Sequence, residues 1–384
     1  MNESLRQSYD IIIVGTGPAG ATLAYELASK GIAVLLLEKD KLPRYKVCAG
    51  GVTIKAAKLL AFDINPIVES TINGLIFSYK FSHQGTRLCD RPLAYTVMRE
   101  KFDYFLVEKA RDAGAAVLDG QKAVQVNTEA SQAIVYTQNH TFTAQVIVGA
   151  DGANSTIARE LGLMRGADLN LGLEGEVYVE EEVLSRWDGL IGIDLGSVPP
   201  GYGWVFPKKN HLSIGVVGPL PSTRRMRTYF NRLLESQNLG NYEVTSFRAG
   251  LLPVRKRAMP ITAQRALLIG DAAGLTNALT GEGIYYALKS ARLAAPVISE
   301  FLQGDIVDLQ GYEKAIDREL MPELGVTRAL ARLSTWSPYL RFRILKDSDW
   351  VWRTLCRIVR GEQTYVSLKT QFRPFQLFFD LLSR

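Results

Sequence analysis

Cysteine is scarce in this chain, which has only Cys48, Cys89 and Cys356 in 384 residues. Their number is odd, and no two of them form a CxxC pair. A disulfide framework uses an even set of cysteines, and a tetrahedral zinc site uses closely spaced pairs. The sequence therefore argues against a disulfide-stapled fold and against a structural metal site.

Long apolar runs are also missing. No segment reaches the roughly 20 consecutive apolar residues of a membrane-spanning helix, and residues 1–10 lack the cationic and apolar regions of a secretory signal. Internal repeats and low-complexity linkers are absent as well. Because 47% of the residues are apolar, a sizeable core can form. We therefore expect a compact cytoplasmic protein, either soluble or peripheral to a membrane.

Positive charge exceeds negative charge, with a formal net charge of +6. Most of the excess lies in residues 311–384, which hold thirteen Lys and Arg against eight Asp and Glu. The same segment contains Trp336, Trp350, Trp352 and an apolar cluster at 375–379. This mixture suits an anionic membrane surface, although a solvated cationic face on a helical cap has the same composition. No nucleic-acid recognition motif accompanies the charge, so we expect no such partner.

The N-terminal segment has the pattern of a dinucleotide-binding βαβ unit. An apolar run ends in a glycine-rich turn that opens a helical pattern, and a second apolar run ends in an acidic residue. The first glycine permits the tight turn, the second lets the backbone approach a pyrophosphate, and the third lets the helix pack closely. The acid is placed to accept hydrogen bonds from an adenosine ribose. This pattern, which NAD and FAD sites share, predicts cofactor contacts at Gly15, Gly17, Pro18, Ala19, Gly20 and Glu38.

A second nucleotide-type turn separates the two cofactors. A short apolar strand at 266–269 ends in Gly270 and Asp271, and an Asp at such a strand end suits the hydroxyls of a ribityl chain. Gly281 and Gly283 then precede a helix that begins at Ile284, which directs free N–H groups and a positive dipole end toward a neighbouring ring. A reduced flavin carries negative charge near N1 and O2, which that helix end would stabilise. The two turns together predict FAD.

A third segment, 146–159, reads VIVGADGANSTIAR. It resembles the DG motif of the flavoprotein hydroxylase superfamily, matched by Asp151, Gly152, Ser155 and Arg159. The three signatures stand in the order and spacing of that superfamily, and the resemblance covers residues 8 to about 300. It implies cofactor contacts at Asp151 and Gly152.

Two more segments make the chain similar to the geranylgeranyl reductase family. LPRYKVCAGGV at 42–52 resembles the family's Cys- and Gly-rich loop beside the flavin, with Ala49 where many members have glycine, and PPGYGWVFPK at 199–208 resembles its aromatic strand. The resemblance implies FAD-dependent saturation of double bonds in geranylgeranyl chains of a lipid, diphosphate or pigment precursor. It further implies cofactor contacts at Lys39, Arg44, Ala49, Gly50, Gly51, Arg99 and Val124.

The scattered motifs predict an interleaved architecture of the α/β class, α+β overall. A Rossmann-type FAD-binding domain is expected from residues 8–72, 97–163 and 259–301, with a helix at 100–113 and three short strands within 123–148. Short alternating runs at 73–96 and 164–258 predict an antiparallel substrate domain. Residues 302–384 are expected to form a helical C-terminal region.

An aromatic strand and a cysteine carry the predicted chemistry. Alternation places Tyr202, Trp204 and Phe206 on one face, where they form either ordinary core or the wall of a slot for a polyprenyl chain. An isolated trisubstituted alkene has no carbonyl to take up charge, so we expect protonation of its less substituted carbon, coupled to hydride transfer from flavin N5. The ring faces would stabilise the transient cation. Cys48 is the predicted proton donor, directly or through a water, although a small packing residue also fits.

The sequence leaves the role of Lys208, the reductant and the exact enzyme class undecided. Lys208 either meets a substrate phosphate or lies on the surface. No second GxGxxG unit is present, so the reductant is expected to be NADPH that docks transiently or a ferredoxin. Aromatic hydroxylases, flavin halogenases and carotenoid cyclases share the FAD signatures, and a prenyl-binding escort protein of related fold is a further alternative.

Overall fold

The computed structural model describes residues 6–371 apart from positions 83, 199, 221 and 222. The apolar cluster predicted at 375–379 lies outside this part, as does position 199 of the aromatic segment. The strands are β1 (Ser8–Val14), β2 (Val34–Leu37), β3 (Gly51–Thr53), β4 (Val68–Ile72), β5 (Gly74–Tyr79), β6 (Gln84–Leu88), β7 (Ala94–Val97), β8 (Ala116–Leu118), β9 (Ala123–Thr128), β10 (Ala133–Thr137), β11 (Thr141–Gly149), β12 (Asp168–Val179), β13 (Leu190–Leu195), β14 (Tyr202–Pro207), β15 (Leu212–Pro219), β16 (Tyr242–Val254), β17 (Thr262–Ala263) and β18 (Ala266–Leu268). The helices are α1 (Pro18–Ala28), α2 (Ile54–Ala57), α3 (Arg99–Asp112), α4 (Thr156–Glu160), α5 (Glu181–Ser185), α6 (Thr223–Ser236), α7 (Ile284–Gln303), α8 (Gln310–Glu319), α9 (Met321–Trp336), α10 (Pro338–Asp347), α11 (Asp349–Val359) and α12 (Tyr365–Gln371).

The first sheet has the strand order β17-β18-β11-β1-β2-β8, and β10 and β9 continue from β11. β1 runs parallel to β2 and β11, and β18 runs parallel to β11. Ile11, Ile12 and Ile13 of β1 are fully buried, as expected for a central parallel strand that is covered on both faces. α1 packs against α3 and α7 beside this sheet. The predicted Rossmann-type unit is confirmed, together with its helix at 99–112 and its three strands after residue 122.

The second sheet has the strand order β16-β12-β15-β14-β13-β5-β6. Its pairs are antiparallel, as predicted, except that β5 runs parallel to β13 with Gly74 opposite Leu190. The predicted antiparallel sheet is confirmed, with this pair as an exception that the sequence did not predict. The reason is topological: β5 and β13 come from separate segments, and the chain between them passes through the first sheet, which provides the long crossover that a parallel pair requires.

A small sheet, β3-β7-β4, connects the two larger ones. β7 pairs antiparallel with β3, where Tyr95 faces Val52, and with β4, where Ala94 faces Ile72. Residues 94–96, which the sequence places in the substrate domain, are thus hydrogen-bonded to strands from the segment predicted for the FAD domain. This sheet also anchors the loop that precedes β3 and contains Cys48.

The C-terminal region is helical, as predicted, and α10 packs on β5, β6 and β13. Trp352 of α11 donates its indole N–H to the Leu88 carbonyl at 2.8 Å and packs edge-on against Phe77 at a centroid distance of 6.2 Å. Trp352 therefore belongs to the core, and the prediction that it lies on a membrane-facing surface with Trp336 and Trp350 is wrong for this residue. Trp336, by contrast, is 80% exposed. Within the described residues, no helix combines the length and the apolar character needed to cross a bilayer.

Candidate active site

A cavity of about 1570 Å³ extends from the glycine-rich turn after β1, past the strand β14, to the helices α9, α10 and α11. Its lining includes Gly17 of that turn, Cys48, Trp204 of β14, and Leu340 and Trp350 of the C-terminal helices. Ligand pockets for one small molecule are commonly about 300–1,000 Å³. The cavity is therefore large enough for a dinucleotide and a second, apolar molecule.

The three glycines of the first turn have different surroundings. Gly15 has a φ of +108°, and a Cβ atom there would lie 2.3 Å from the Ala150 carbonyl oxygen. A Cβ at Gly20 would lie 1.9 Å from the Gly15 carbonyl oxygen, so α1 can approach the turn only without a side chain at this position. At Gly17, by contrast, no described atom lies within 4 Å of the Cβ position. Since no described side chain caps α1, its first N–H groups are free beside open space, which fits a pyrophosphate.

Glu38, at the end of β2, is held as a buried carboxylate at this end of the cavity. Its Oε2 accepts hydrogen bonds from the Thr16 amide at 3.3 Å, from the Thr16 hydroxyl, and from Arg44 Nε at 2.9 Å. Burial alone would raise the pKa of Glu38, but the charge of Arg44 and these hydrogen bonds lower it. The ionised side chain is thus fixed where the sequence predicts a ribose contact.

The second predicted turn reaches the cavity at the N-terminus of α7. Gly281 has a φ of +68°, α7 begins at Ile284, and no described side chain caps it. Asp271 lines the same part of the cavity, and its Oδ1 would lie 3.3 Å from a Cβ atom at Gly283. A second free helix terminus and an acid therefore converge here, and they fit the ring and the ribityl chain of a flavin.

Asp151 uses its carboxylate within the protein. Its oxygens accept hydrogen bonds from the Ser155 hydroxyl at 2.5 Å, from the Thr156 amide at 2.6 Å and from the Ile157 amide at 3.3 Å. These contacts cap α4, although Asp151 and Gly152 both line the cavity. A cofactor contact at these two residues remains a prediction, and their backbone is the part that is left to make it.

Two arginines fix the loop that contains Cys48. Asp103 is 1% exposed, and it binds Arg44 Nη1 at 2.9 Å and Arg99 Nε at 2.8 Å. The guanidinium of Arg99 also lies within hydrogen-bonding reach of the Cys48 thiol, and the Gly50 amide donates to Cys48 Sγ at 3.4 Å. The predicted cofactor role of the two arginines is untested, but both line the cavity.

Lys208 takes neither of its predicted places. It is 3% exposed, and its Nζ donates to the Ala49 carbonyl at 2.7 Å and to the Val97 carbonyl at 2.8 Å. Burial lowers its pKa. The ammonium therefore connects the Cys48 loop to β7 through hydrogen bonds. It is not a surface group, and it does not line the cavity.

The aromatic residues of β14 form one wall of the cavity. Tyr202, Trp204 and Phe206 all line it, and Trp204 is 7% exposed. Room for the Trp204 ring comes from Gly215, where a Cβ atom would lie 2.2 Å from its Cζ2. The indole Nε1 is buried without a hydrogen-bond partner among the described residues. The rings thus share one face, as alternation predicts, and that face borders open space.

An acidic pair that the sequence reasoning missed lies behind the Cys48 loop. Glu174 and Glu176 are both buried on β12, and the Tyr45 hydroxyl lies 3.0 Å from Glu174 Oε1 and 3.2 Å from Glu176 Oε1. His211 Nε2 lies 3.0 Å from Glu176 Oε2. Burial and the charge of Glu176 raise the pKa of Glu174 to about 7. The signal in the sequence was the pattern Glu-x-Glu inside an otherwise apolar strand.

Most of the predicted site residues come together around this cavity. Gly20, Gly50 and Gly270 do not line it, and the last two have φ of +69° and +58°. The predicted residues that line it are Gly15, Gly17, Pro18, Ala19, Glu38, Lys39, Arg44, Cys48, Ala49, Gly51, Arg99, Val124, Asp151, Gly152, Tyr202, Trp204, Phe206, Asp271, Gly281, Gly283 and Ile284.

Comparison with known proteins agrees with this geometry. The family described as an FAD binding domain matches residues 8–309. Digeranylgeranylglycerophospholipid reductase 2 of Methanothermobacter thermautotrophicus is 31% identical, over 89% of this chain and 92% of that protein. Menaquinone reductase of Mycobacterium tuberculosis is 30% identical, over 97% of this chain and 100% of that protein.

A solved structure shares both the fold and part of the sequence. The geranylgeranyl bacteriochlorophyll reductase-like protein of Thermoplasma acidophilum superimposes with a TM-score of 0.80 at 25% identity, covering 89% of this chain and 91% of that one. The predicted cofactor, FAD, and the predicted family are confirmed by these matches. The chain belongs to the geranylgeranyl reductase family of FAD-dependent oxidoreductases.

Proposed function

We propose that this protein is a reductase that saturates isolated carbon–carbon double bonds of geranylgeranyl or other polyprenyl chains carried by a lipid, a diphosphate or a pigment or quinone precursor. The observation that carries the proposal is the lining of the cavity. One continuous cavity is bordered by the glycine-rich turns, by the rings of β14 and by apolar side chains of α9, α10 and α11. The names of the relatives point to the same class of substrate.

The cofactor end has the groups that FAD needs. Gly17 and the N-terminus of α1 would hold the pyrophosphate, Glu38 the ribose, and Asp271 and the N-terminus of α7 the ribityl chain and ring. When it is bound in its reduced form, FAD supplies a hydride. The residues around the remainder of the cavity must then bind the alkene, exclude water and deliver a proton.

The aromatic rings of β14 could stabilise a carbon atom that develops positive charge. Protonation of an unactivated alkene creates cationic character at the more substituted carbon, and the face of a buried aromatic ring stabilises such a charge. Trp204 is almost fully buried, and it lines the same cavity as Cys48 and the apolar side chains of the C-terminal helices. It would therefore act where the charge develops, which favours the transition state over the ground state.

Cys48, the proton donor predicted from the sequence, lies in the wall of the same cavity. Replacing it with alanine tests that role directly. Normal reduction by Cys48→Ala with normal FAD content dismisses the thiol as the donor, whereas loss of reduction shows that the thiol is needed in this wall of the cavity.

The apolar end of the cavity is also the end that would face a membrane. Trp336 and Leu340 are 80% and 55% exposed, and both line the cavity. Aromatic and aliphatic side chains of this kind insert into the interface of a bilayer while nearby cations meet its phosphates. We therefore propose that a polyprenyl chain enters from an anionic membrane surface. The electron donor is proposed to be NADPH or a ferredoxin.

The reaction is tested by mass spectrometry of products. Protein reduced with dithionite is incubated without oxygen with geranylgeranyl diphosphate, with a geranylgeranylated glycerolipid or with a menaquinone. Mass gains in steps of two hydrogen atoms support the proposal. A hydroxylated or halogenated product formed in oxygen would instead identify a hydroxylase or halogenase, and an isomer formed without use of reductant would identify a cyclase.

A further inference from the structure

Glu174 is a fully buried acid in the wall of the cavity. Its side chain is 0% exposed, yet it borders the cavity beside Tyr45 and Cys48. Oε1 lies 3.0 Å from the Tyr45 hydroxyl oxygen and accepts a hydrogen bond from the Cys48 amide at 3.2 Å. Oε2 has no hydrogen-bond partner in the described part of the chain. Since a buried polar atom without a partner is costly, Oε2 is the polar atom of this wall that the described protein groups leave unpaired.

The hydrogen bonds around Tyr45 indicate where a proton resides. The Tyr45 hydroxyl is within 3.2 Å of both Glu174 and Glu176, but it has one hydrogen and can donate it to one carboxylate only. The second contact is favourable when the other acid is protonated and donates to the hydroxyl oxygen. Glu176 already faces His211 Nε2, whereas Glu174 makes no ion pair with any described residue. Glu174 is therefore the acid that carries the proton.

A chain of polar groups leads from Glu174 to the surface. Tyr45 joins Glu174 to Glu176, and Glu176 Oε2 lies 3.0 Å from His211 Nε2. On its other side, His211 Nδ1 lies 2.8 Å from Oδ1 of Asn210, which is exposed. Each step between Glu174 and His211 is a hydrogen bond of ordinary length, whereas the Asn210 oxygen only accepts from His211. A proton can therefore pass from His211 to Glu174 without opening the cavity.

We propose that Glu174 donates the proton consumed in the reduction, and that Tyr45, Glu176 and His211 return a proton to it. The inference rests on the proposed function. The proton leaves the carboxyl group, the π electrons of the alkene form the new C–H bond with it, and the neighbouring carbon takes the hydride. The carboxylate left behind then recovers a proton through the chain. Cys48 positions Glu174 through its amide.

The charges near Glu174 set the direction of its pH dependence. Burial and the negative charge of Glu176 raise its pKa to about 7, and the buried ammonium of Lys208 opposes that shift. Arg248 lies over the Tyr45 ring at 5.4 Å, and Arg99 faces Cys48 on the other side of the loop. Because the donor must be protonated, the rate of proton delivery should fall as the pH rises through about 7.

The kinetic test uses the holoenzyme reduced with dithionite and mixed without oxygen with geranylgeranyl diphosphate. The oxidation of flavin is followed by absorbance and the product by mass spectrometry. Glu174→Gln keeps the size of the side chain and an acceptor oxygen for Tyr45 and Cys48. We expect FAD content to stay normal and the single-turnover rate to fall roughly 10²- to 10³-fold. Glu174→Asp should recover part of the rate, and Glu243→Gln, at an exposed acid of β16, is the matched control.

Two readouts separate proton donation from a structural role. The wild-type rate should decrease above a pH of about 7, and the residual rate of Glu174→Gln should lack this dependence. Independently of activity, infrared spectra of the wild-type protein should contain a protonated carboxyl band that titrates in the same range and is missing in Glu174→Gln.

The outcomes distinguish this inference from the function on which it rests. If wild-type protein reduces no polyprenyl substrate, the proposed function fails and the inference fails with it. If wild-type protein reduces the substrate and Glu174→Gln does so at the same rate, only the inference is overturned. It is also overturned if the carboxyl band is missing in the wild-type spectrum, or if Cys48→Ala abolishes reduction while Glu174→Gln does not.

Discussion

Replacing Trp204 with leucine removes a ring from the cavity wall and keeps an apolar side chain in its place. The ring is 7% exposed, so a cation that forms against it is shielded from water. A desolvated cation–π interaction contributes about 2 kcal/mol, and each 1.36 kcal/mol is a factor of about ten in rate. We therefore expect Trp204→Leu to lower the single-turnover rate about 30-fold and to leave FAD affinity nearly unchanged.

The assay compares flavin oxidation by substrate with FAD titration of the apoprotein. Trp187→Leu is the matched control, because Trp187 is 6% exposed and packs against Gly192 outside the cavity wall. Both variants lose buried aromatic area, but only Trp204→Leu should lose rate. Trp204→Phe, which keeps a ring face, should recover most of it. Equal rates for Trp204→Leu and wild-type protein, or an equal loss in Trp187→Leu, would refute the role of the ring.

Three further predictions concern the cofactor site, the buried acid and the surface. Gly17→Ala should weaken FAD binding without lowering the melting temperature of the apoprotein, because its Cβ meets no described atom within 4 Å. Gly20→Ala should instead destabilise the fold, because its Cβ would lie 1.9 Å from the Gly15 carbonyl oxygen. The reverse pattern in melting and FAD titration would contradict this. Between a pH of about 4.5 and about 7, the folded protein holds a proton on Glu174 that the unfolded chain has released, so wild-type stability falls with rising pH. Urea titrations should therefore show Glu174→Gln more stable than wild type at pH 8, by on the order of 3 kcal/mol, with the difference shrinking toward pH 4.5; a constant difference would contradict the raised pKa. Trp336→Ser should reduce flotation with anionic vesicles while leaving unfolding unchanged, because the ring is 80% exposed; unchanged flotation would argue for a solvated helical cap.

The features that the sequence predicts well are local. The turn at Gly15, the turn at Gly281 and the strand at Trp204 depend on residue spacing within a few positions, and each has its expected conformation. Alternation also placed the three rings of β14 on one face. Turn chemistry and periodicity act over short distances in the chain, so one segment contains enough information to predict them.

The features that it predicts poorly depend on which distant segments meet. Tyr45 and Glu174 are 129 positions apart, and only the packing of the loop before β3 on β12 brings them together. Lys208 directly follows a strand, and nothing in the neighbouring sequence indicates that its side chain is buried and hydrogen-bonded to two backbone carbonyl groups. The burial of Trp352 is equally hard to predict, because its helix is amphipathic and its partner Phe77 lies in a strand from a different part of the chain.

The account depends most on the claim that the cavity binds a polyprenyl chain for reduction. The direct measurement is the mass of geranylgeranyl diphosphate or a geranylgeranylated lipid after one anaerobic turnover with pre-reduced holoenzyme. The account predicts a gain of two hydrogen atoms for each flavin oxidised, and a gain of two deuterium atoms when the enzyme is reduced and reacted in deuterium oxide, because the hydrogen on flavin N5 exchanges with solvent. A substrate that returns with unchanged mass while the flavin stays reduced would contradict it.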